Sequence, residues 1–305
     1  MMQRRILLTG SNGLMGQKVI NLVAGRAGLQ LLATGRGVNR HPLRQGYTYV
    51  SVDITDPKAF GEVFREFQPT DVIHTAAVTL VDYCEDHREE CDAVNVEAVK
   101  YLCALCKEQN TRLVHISTDF VFDGKSGPYK ENDPTGPVNY YGLSKLKAEQ
   151  AVMESGIHAS ILRTILVYGF TPSLSRTNIV LWVKDSLEEK KNIKVVKDQL
   201  RCPTLAEDLA QASVSAVMRN AKGIYHISGA EQMTILELAQ RTARFWKLDE
   251  ALIEPVDSTM FRQPAMRPPV TGFVILKAQT ELEFRPHAFE QGLALIDRQM
   301  RGEAN

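Results

Sequence analysis

A tyrosine and a lysine four residues apart, Tyr141 and Lys145 in "NYYGLSK", stand out in this 305-residue chain as a pair able to move a proton. On a helix that spacing puts both side chains on one face, while Tyr140, five residues from the lysine, points elsewhere. An ordinary phenol titrates near pH ~10 and barely ionises at neutrality. A neighbouring ammonium favours the phenolate, so the pairing predicts a lowered pKa and a better proton donor to a forming alkoxide. Thr118, in the "STD" that closes an apolar run, offers a hydroxyl able to hold a substrate oxygen beside that phenol.

The chemistry such a pair could serve is set by the start of the chain. "TGSNGLMG" places Gly10, Gly13 and Gly16 between an apolar run and a helical pattern, a G-x-x-G-x-x-G variant of the dinucleotide fingerprint. A tight turn, close backbone approach and a helix N-terminus aimed at the charge suit a pyrophosphate. Asn12, Leu14 and Met15 lie in the same loop and join the cofactor candidates. The second apolar run ends in "ATGRGVNR", where Arg36, with Arg40 close by, stands in place of an acidic residue. A guanidinium there welcomes a 2′-phosphate, so NADP(H) is preferred and NAD(H) is kept open. Asp53 and Ile54 end the third run, with Asp53 facing the adenine. Ala76 and Ala77, in "TAAV", keep the fourth run's end small beside the cofactor.

Elements to position these groups alternate along the first half. Strands are expected at 4–10, 29–35, 47–53, 71–77, 112–118 and 159–169. Helices are expected at about 14–24, at "DPKAFGEVFREF" with Asp56 as cap and Pro57 in the first turn, and at about 89–109. Strand–helix alternation implies an α/β fold, a Rossmann-type doubly wound parallel sheet covered on both faces. After Gly169 the rhythm changes. "TPSLSRTN" reads as a loop, Thr234 and Glu237 form a capping box, and "EPVDSTMFRQPAMRPPVTG" is proline-rich and irregular. The expected organisation is a dinucleotide-binding domain, 1–169, and a smaller C-terminal substrate domain, 170–305, with part of about 194–229 returning to the main sheet.

Composition excludes several alternatives. The chain is 44% hydrophobic and 24% charged, and its 36 basic and 36 acidic residues balance, so neither nucleic acid nor an anionic membrane is indicated as a partner. The apolar stretch after Arg4 and Arg5 ends at Leu8, too short for a secretory signal, and no run spans a bilayer; a soluble, cytoplasmic protein is expected. Five cysteines, including the C-x-x-C of Cys103 and Cys106, read as buried and reduced rather than as a metal or disulfide framework. His74 and His115, inside apolar runs, read as packed core. No metal site is indicated.

With its glycine loop and Y-x-x-x-K pair, the chain resembles the extended short-chain dehydrogenase/reductases. "STDFVFDGKSGPYKENDPTGPVNYYGLSK", "ILRTILVYG", "KDQLRCPTLAEDLA" and the "RPP" at 267–269 carry the likeness further, nearly end to end, to the dTDP-4-dehydrorhamnose reductase branch. That resemblance implies hydride delivery from NAD(P)H to a sugar C4 carbonyl while Tyr141 protonates its oxygen. Lys145 would tune the phenol and hold the nicotinamide ribose, Thr118 would orient the carbonyl, and Asn95 would support the lysine's hydrogen-bond network. Asp119 follows Thr118 where dehydratases carry an Asp-Glu pair. Phe120 and Leu166 stand where the branch commonly has tyrosine and tryptophan near the sugar nucleotide. Arg201 and Arg267 are diphosphate candidates because a bidentate guanidinium suits phosphate. "HISGAEQMTILELAQ" and "STDFVFDG" also resemble the regulatory β subunit of methionine adenosyltransferase, which implies NADP binding without turnover; a sugar-nucleotide epimerase is a third reading. A homodimer is compatible with all three.

Overall fold

The apolar run Ile6–Leu8 is completely buried because it forms the middle of a sheet with both faces covered. A computed structural model describes residues 3–173, 176–261 and 263–303; Leu174 and Ser175 of the expected 171–178 loop, and Arg262 of the proline-rich stretch, lie outside the described residues. In chain order the first half runs β1 (Arg4–Thr9), α1 (Leu14–Val23), β2 (Leu29–Gly35), β3 (Thr48–Ser51), α2 (Pro57–Phe67) and β4 (Asp71–His74). It continues with α3 (Val81–Asp86), α4 (Arg88–Asp92), a π-helical turn at Ala93–Glu97, α5 (Ala98–Gln109), β5 (Arg112–Thr118), α6 (Tyr140–Glu154) and β6 (Ala159–Thr164). The helix expected over 89–109 is therefore a helical run interrupted by one wide turn, and that turn carries Asn95.

The sheet order is β3-β2-β1-β4-β5-β6 followed by the strand Gly223–Ile227, all parallel. The last strand comes from the second half of the chain, as does the helix Ala206–Met218 that packs on α1. Strand order reverses between β1 and β4, so their carboxyl ends open side by side, the place where open parallel sheets bind ligands. α2 starts as its sequence dictates: Asp56 accepts hydrogen bonds from the Lys58 and Ala59 backbone N–H groups, and Pro57 fills the first turn.

The expected strand over 159–169 breaks. β6 ends at Thr164, Leu166 adopts φ +40°, and a two-residue strand, Val167–Tyr168, pairs with Thr204–Leu205 instead of the main sheet. Outside the sheet, helices Ile179–Glu188 and Ile235–Phe245 pack together beside the parallel pair Ile193–Val196 and Ile253–Val256. Thr234 accepts from the Glu237 backbone N–H at 3.0 Å, starting the second of these helices. No helix among the described residues is long and apolar enough to cross a membrane.

Candidate active site

Asn139, Tyr140, Tyr141 and Gly142 of the heptapeptide that opens α6 each have their own work. Asn139 caps the helix by accepting from the Gly142 N–H at 2.8 Å, and its amide nitrogen donates to the Met266 carbonyl at 2.7 Å. Tyr140 turns away to α3 and α4: its N–H donates to Glu85 and its hydroxyl to Asp92 at 2.8 Å, with the Arg88 guanidinium over its ring. Gly142 has no room for a side chain, since a Cβ would lie 2.1 Å from the Phe120 carbonyl oxygen. That contact lets α6 press against the turn that follows β5. Tyr141 then lies beside the Thr118 hydroxyl, which itself donates to Asp119 at 3.0 Å, and meets the Phe120 ring edge-on at 5.9 Å.

The tyrosine and lysine share a face, but not the electrostatics expected from their spacing. Burial pushes the Tyr141 phenol up; the nearby Thr118 hydroxyl opposes this, and the charges of Asp119, Cys84 and Cys91 add to it. Lys145 is 3% exposed, and its ammonium lies 3.4 Å from His115 Nε2 instead of on the phenol. Burial lowers its pKa to about 8, against the supporting charges of Glu149 and Cys91. Beneath it His115 stacks on His74 at 5.5 Å, and His74 Nδ1 lies 2.8 Å from the Thr9 hydroxyl at the end of β1. Both imidazoles are held neutral, first by burial and then by the Lys145 charge. The histidines are core, as their apolar strands suggested, yet one of them also touches the lysine.

The glycine loop is built for close approach. Gly10 has φ +68°, and a Cβ there would sit 2.6 Å from the Ala76 nitrogen; a Cβ on Gly16 would sit 2.5 Å from the Gly10 carbonyl. Gly13 caps α1, and among the described residues no side chain closes the first N–H groups of that helix. Backbone donors and a positive helix end are thus free for an anion, with Leu14 and Met15 in the first turn. Ala76 and Ala77 follow β4 directly across from the loop. The Asn12 amide donates to the Arg36 and Val38 carbonyls and accepts from the Arg40 N–H. It ties the phosphate loop to the segment carrying Arg36. The Arg36 side chain is 79% exposed and has a loose 3.7 Å ion pair with Asp53. Asp53 also accepts from Thr55, next to Ile54. Burial raises its pKa, but the Thr55 bonds and Arg36 outweigh this and hold the carboxyl below its usual range.

The structure does not bring all the predicted residues to the cleft in usable form. Asn95 bonds the Val78 backbone with both ends of its amide and reaches Ser144, the neighbour of Lys145, at 3.0 Å, so its link to the lysine is indirect. Arg201 is 3% exposed and donates to the Leu200, Pro268 and Pro269 carbonyls, with Asp119 3.9 Å away. Asp119 in turn accepts from Thr118 and Thr271. This buried cluster fastens residues 268–271 to the end of β5, with the polar atoms of Arg201, a diphosphate candidate, and of Asp119, a substrate-side candidate, partnered inside it. Arg267 is held bidentately by Asp82 at 2.8 and 2.7 Å, a bond that also depresses the Asp82 carboxyl, so it is paired instead of free for a diphosphate. Leu166 packs into three apolar clusters from its left-handed backbone position, a strained conformation for leucine.

The family model described as RmlD substrate binding domain matches residues 4–301. The chain belongs to this family. Methionine adenosyltransferase 2 subunit beta of Bos taurus is 31% identical over 258 residues, 83% of this chain and 75% of that protein. A dTDP-4-keto-6-deoxy-D-glucose reductase of Streptomyces niveus is 32% identical over 272 residues, covering 88% of each chain. The crystal structure of dTDP-4-dehydrorhamnose reductase from Bacillus anthracis in complex with NADP superposes with a TM-score of 0.83 at 26% identity, covering 98% of this chain and 100% of that one. Both resemblances drawn from the sequence are thus found among the relatives of this family member.

One layer behind the site escaped sequence reading. Glu149, eight residues after Tyr141 and four after Lys145, is fully buried and salt-bridged to Arg163 on β6 at 2.6 Å, with Ser117 donating to the same carboxylate. The helix period that pairs Tyr141 with Lys145 also puts Glu149 on that face, which is the signal that could have found it.

Proposed function

We propose that the protein reduces the C4 ketone of a sugar nucleotide with NADPH, dTDP-4-dehydrorhamnose to dTDP-L-rhamnose being the specific reaction. The observation that carries this reading is the meeting of Thr118 and Tyr141 at the carboxyl end of β5, with Lys145 one helical turn on and the glycine loop across the switch point. The Gly10–Gly16 loop and the first turn of α1 would hold the pyrophosphate, and Arg36 the 2′-phosphate. Ala76 and Ala77 would leave room for the nicotinamide end, and Lys145 would bond its ribose. When bound, the reduced nicotinamide supplies the hydride.

The chain's own residues handle the proton. Thr118 donates to the ketone oxygen or accepts from the phenol, fixing the oxygen beside Tyr141. A phenol pushed up by burial stays protonated at neutral pH, as a proton donor requires, and gives up its proton as negative charge develops on that oxygen. The Lys145 ammonium, one helical turn on and resting against His115, adds only longer-range stabilisation to the phenolate left behind. Phe120, against the Tyr141 ring, excludes water from this exchange. Residues 170–305, apart from the helix and strand at 206–227 that return to the sheet, would close over the sugar.

The test is oxidation of NADPH and, separately, NADH by the purified protein given dTDP-4-dehydro-L-rhamnose, with Tyr141→Phe alongside. Turnover that falls roughly 10²–10⁴-fold in the variant, with NADPH affinity retained, supports the reading. NADPH binding without turnover on this or other 4-keto sugar nucleotides would sink it. That outcome favours the second reading, a regulatory NADP-binding partner, which the 31% identity to the methionine adenosyltransferase subunit keeps in view; co-purification with a methionine adenosyltransferase checks it.

A further inference from the structure

Cys84 on α3 and Cys91 on α4 are fully buried, and their sulfurs lie 2.8 Å apart, where a disulfide bond measures ~2.04 Å. The reduction described above uses neither. Their surroundings differ from those of the other cysteines. Cys103 and Cys106 sit in an apolar cluster with Val99, Leu102 and Phe64, and burial pushes the Cys103 thiol up to about 11 and Cys106 higher still. Cys91 instead has polar support: Asn95 donates to its sulfur at 3.3 Å, and Ser144 Oγ lies 3.4 Å away. The bond with the Cys84 thiol holds Cys91 below the ordinary thiol range; burial opposes this, while Ser144 and Asn95 reinforce it. Cys84 is correspondingly pushed up, mainly by its bond with Cys91 and then by burial. One sulfur is thus poised as nucleophile, and its neighbour keeps a proton to release later.

We propose that Cys84 and Cys91 are a reversible dithiol–disulfide pair, oxidised by hydrogen peroxide, whose state is felt at the Lys145 side of the cofactor cleft. In the first step the Cys91 thiolate attacks one peroxide oxygen. The O–O bond breaks, hydroxide leaves and takes up the proton lost from Cys91, and Cys91 becomes a sulfenic acid with release of one water. In the second step the Cys84 sulfur attacks Cys91. The S–O bond breaks, and the leaving hydroxyl takes the Cys84 proton as a second water. Two thiols and one peroxide give one disulfide and two waters, with two electrons passing from sulfur to oxygen. Access comes from local opening of α3, a six-residue helix that ends at His87 ahead of the longer helical run carrying Cys91, the kind of short segment that opens without global unfolding.

The route to the cleft is through shared partners. The Asn95 amide that touches Cys91 also holds the Val78 backbone, which ends the small-residue loop after β4, and bonds Ser144, adjacent to Lys145. Drawing Cys91 onto Cys84 lengthens the contacts of that sulfur with Asn95 and Ser144 and ends its part in them as a thiol or thiolate. It also removes an anionic group whose charge supports the Lys145 ammonium and opposes the Tyr141 phenolate.

The experiment treats the full-length protein with hydrogen peroxide, blocks remaining thiols with an alkylating agent and digests with trypsin without reduction. Cleavage after Arg65, Arg88 and Lys100 puts Cys84 on peptide 66–88 and Cys91 on peptide 89–100, so only a bridge joins them. The expected result is that linked pair, its loss with dithiothreitol, and a trapped Cys91 sulfenic acid in Cys84→Ala, with Cys103, Cys106 and Cys202 unoxidised. No linked pair in protein shown folded by circular dichroism, or bridging of Cys103 to Cys106 first, overturns the proposal. NADPH titration by fluorescence provides the second arm, which rests on the nicotinamide reading. Oxidation is expected to weaken binding roughly tenfold, the scale of one or two lost hydrogen bonds in a buried support, and reductant to restore it. A bridge with unchanged affinity overturns the coupling to the cleft. Reduced protein that fails to bind NADPH overturns the nicotinamide reading instead, leaving the linked peptides to decide the pair.

Discussion

Replacing Glu149 with glutamine keeps the shape of the side chain and removes its charge, leaving Arg163 buried at 3% exposure without its counter-ion. Breaking one partner of a buried pair costs about 3–5 kcal/mol, because the surviving charge cannot return to water. At about 2.1 cal/mol/K per residue, unfolding of a 305-residue chain carries an entropy near 0.64 kcal/mol/K, so the expected fall in Tm is about 5–8 °C. A thermal melt followed by circular dichroism measures it, and Glu149→Leu combined with Arg163→Met, which removes both charges, should recover most of the loss. The same change reaches the site. The Glu149 charge supports the Lys145 ammonium, whose pKa is about 8; without it that value falls. If charged Lys145 is needed for turnover, the decline of kcat/KM on the alkaline side therefore moves to lower pH in Glu149→Gln. A Tm within about 1 °C of the parent, or an alkaline limb that moves upward, would refute this account of the buried layer.

Lys145→Met should abolish turnover yet stabilise the protein at neutral pH. The folded pKa of Lys145 is about 8 and the unfolded value ~10.4, so the cost of burying the ammonium is fully present below pH 8 and fades as pH rises through ~10.4; denaturant melts at pH 7 and pH 10 should show the variant's advantage much reduced at pH 10. Arg36→Ala should raise KM for NADPH by roughly 10–100-fold, the worth of a charge-assisted bond, and leave KM for NADH little changed; equal losses for both cofactors would remove Arg36 from the 2′-phosphate. Gly16→Ala places a methyl 2.5 Å from the Gly10 carbonyl, so the phosphate loop must move, and NADPH binding by calorimetry should be lost while the melt stays cooperative.

Local spacing determined what depends on neighbours along the chain. The i, i+4 rule separated Tyr141 from Tyr140, the Asp56-Pro57 pair started α2, and glycines at fixed offsets marked a strand-to-helix turn that a side chain would obstruct. Alternating strands and helices were enough for the parallel sheet, because parallel strands need such crossovers. Tertiary structure alone decided where charge and hydrogen bonds go, since those partners are distant in sequence. Lys145 meets His115, thirty positions away; Arg201 is captured by carbonyls of 268 and 269; Arg267 is taken by Asp82. Spacing gave the Tyr141 phenol a lowered pKa, whereas packing under Phe120 raised it, because burial disfavours a charge whatever its neighbours in the chain. Cys84 and Cys91 looked like scattered core cysteines until two short helices folded back and brought their sulfurs into contact.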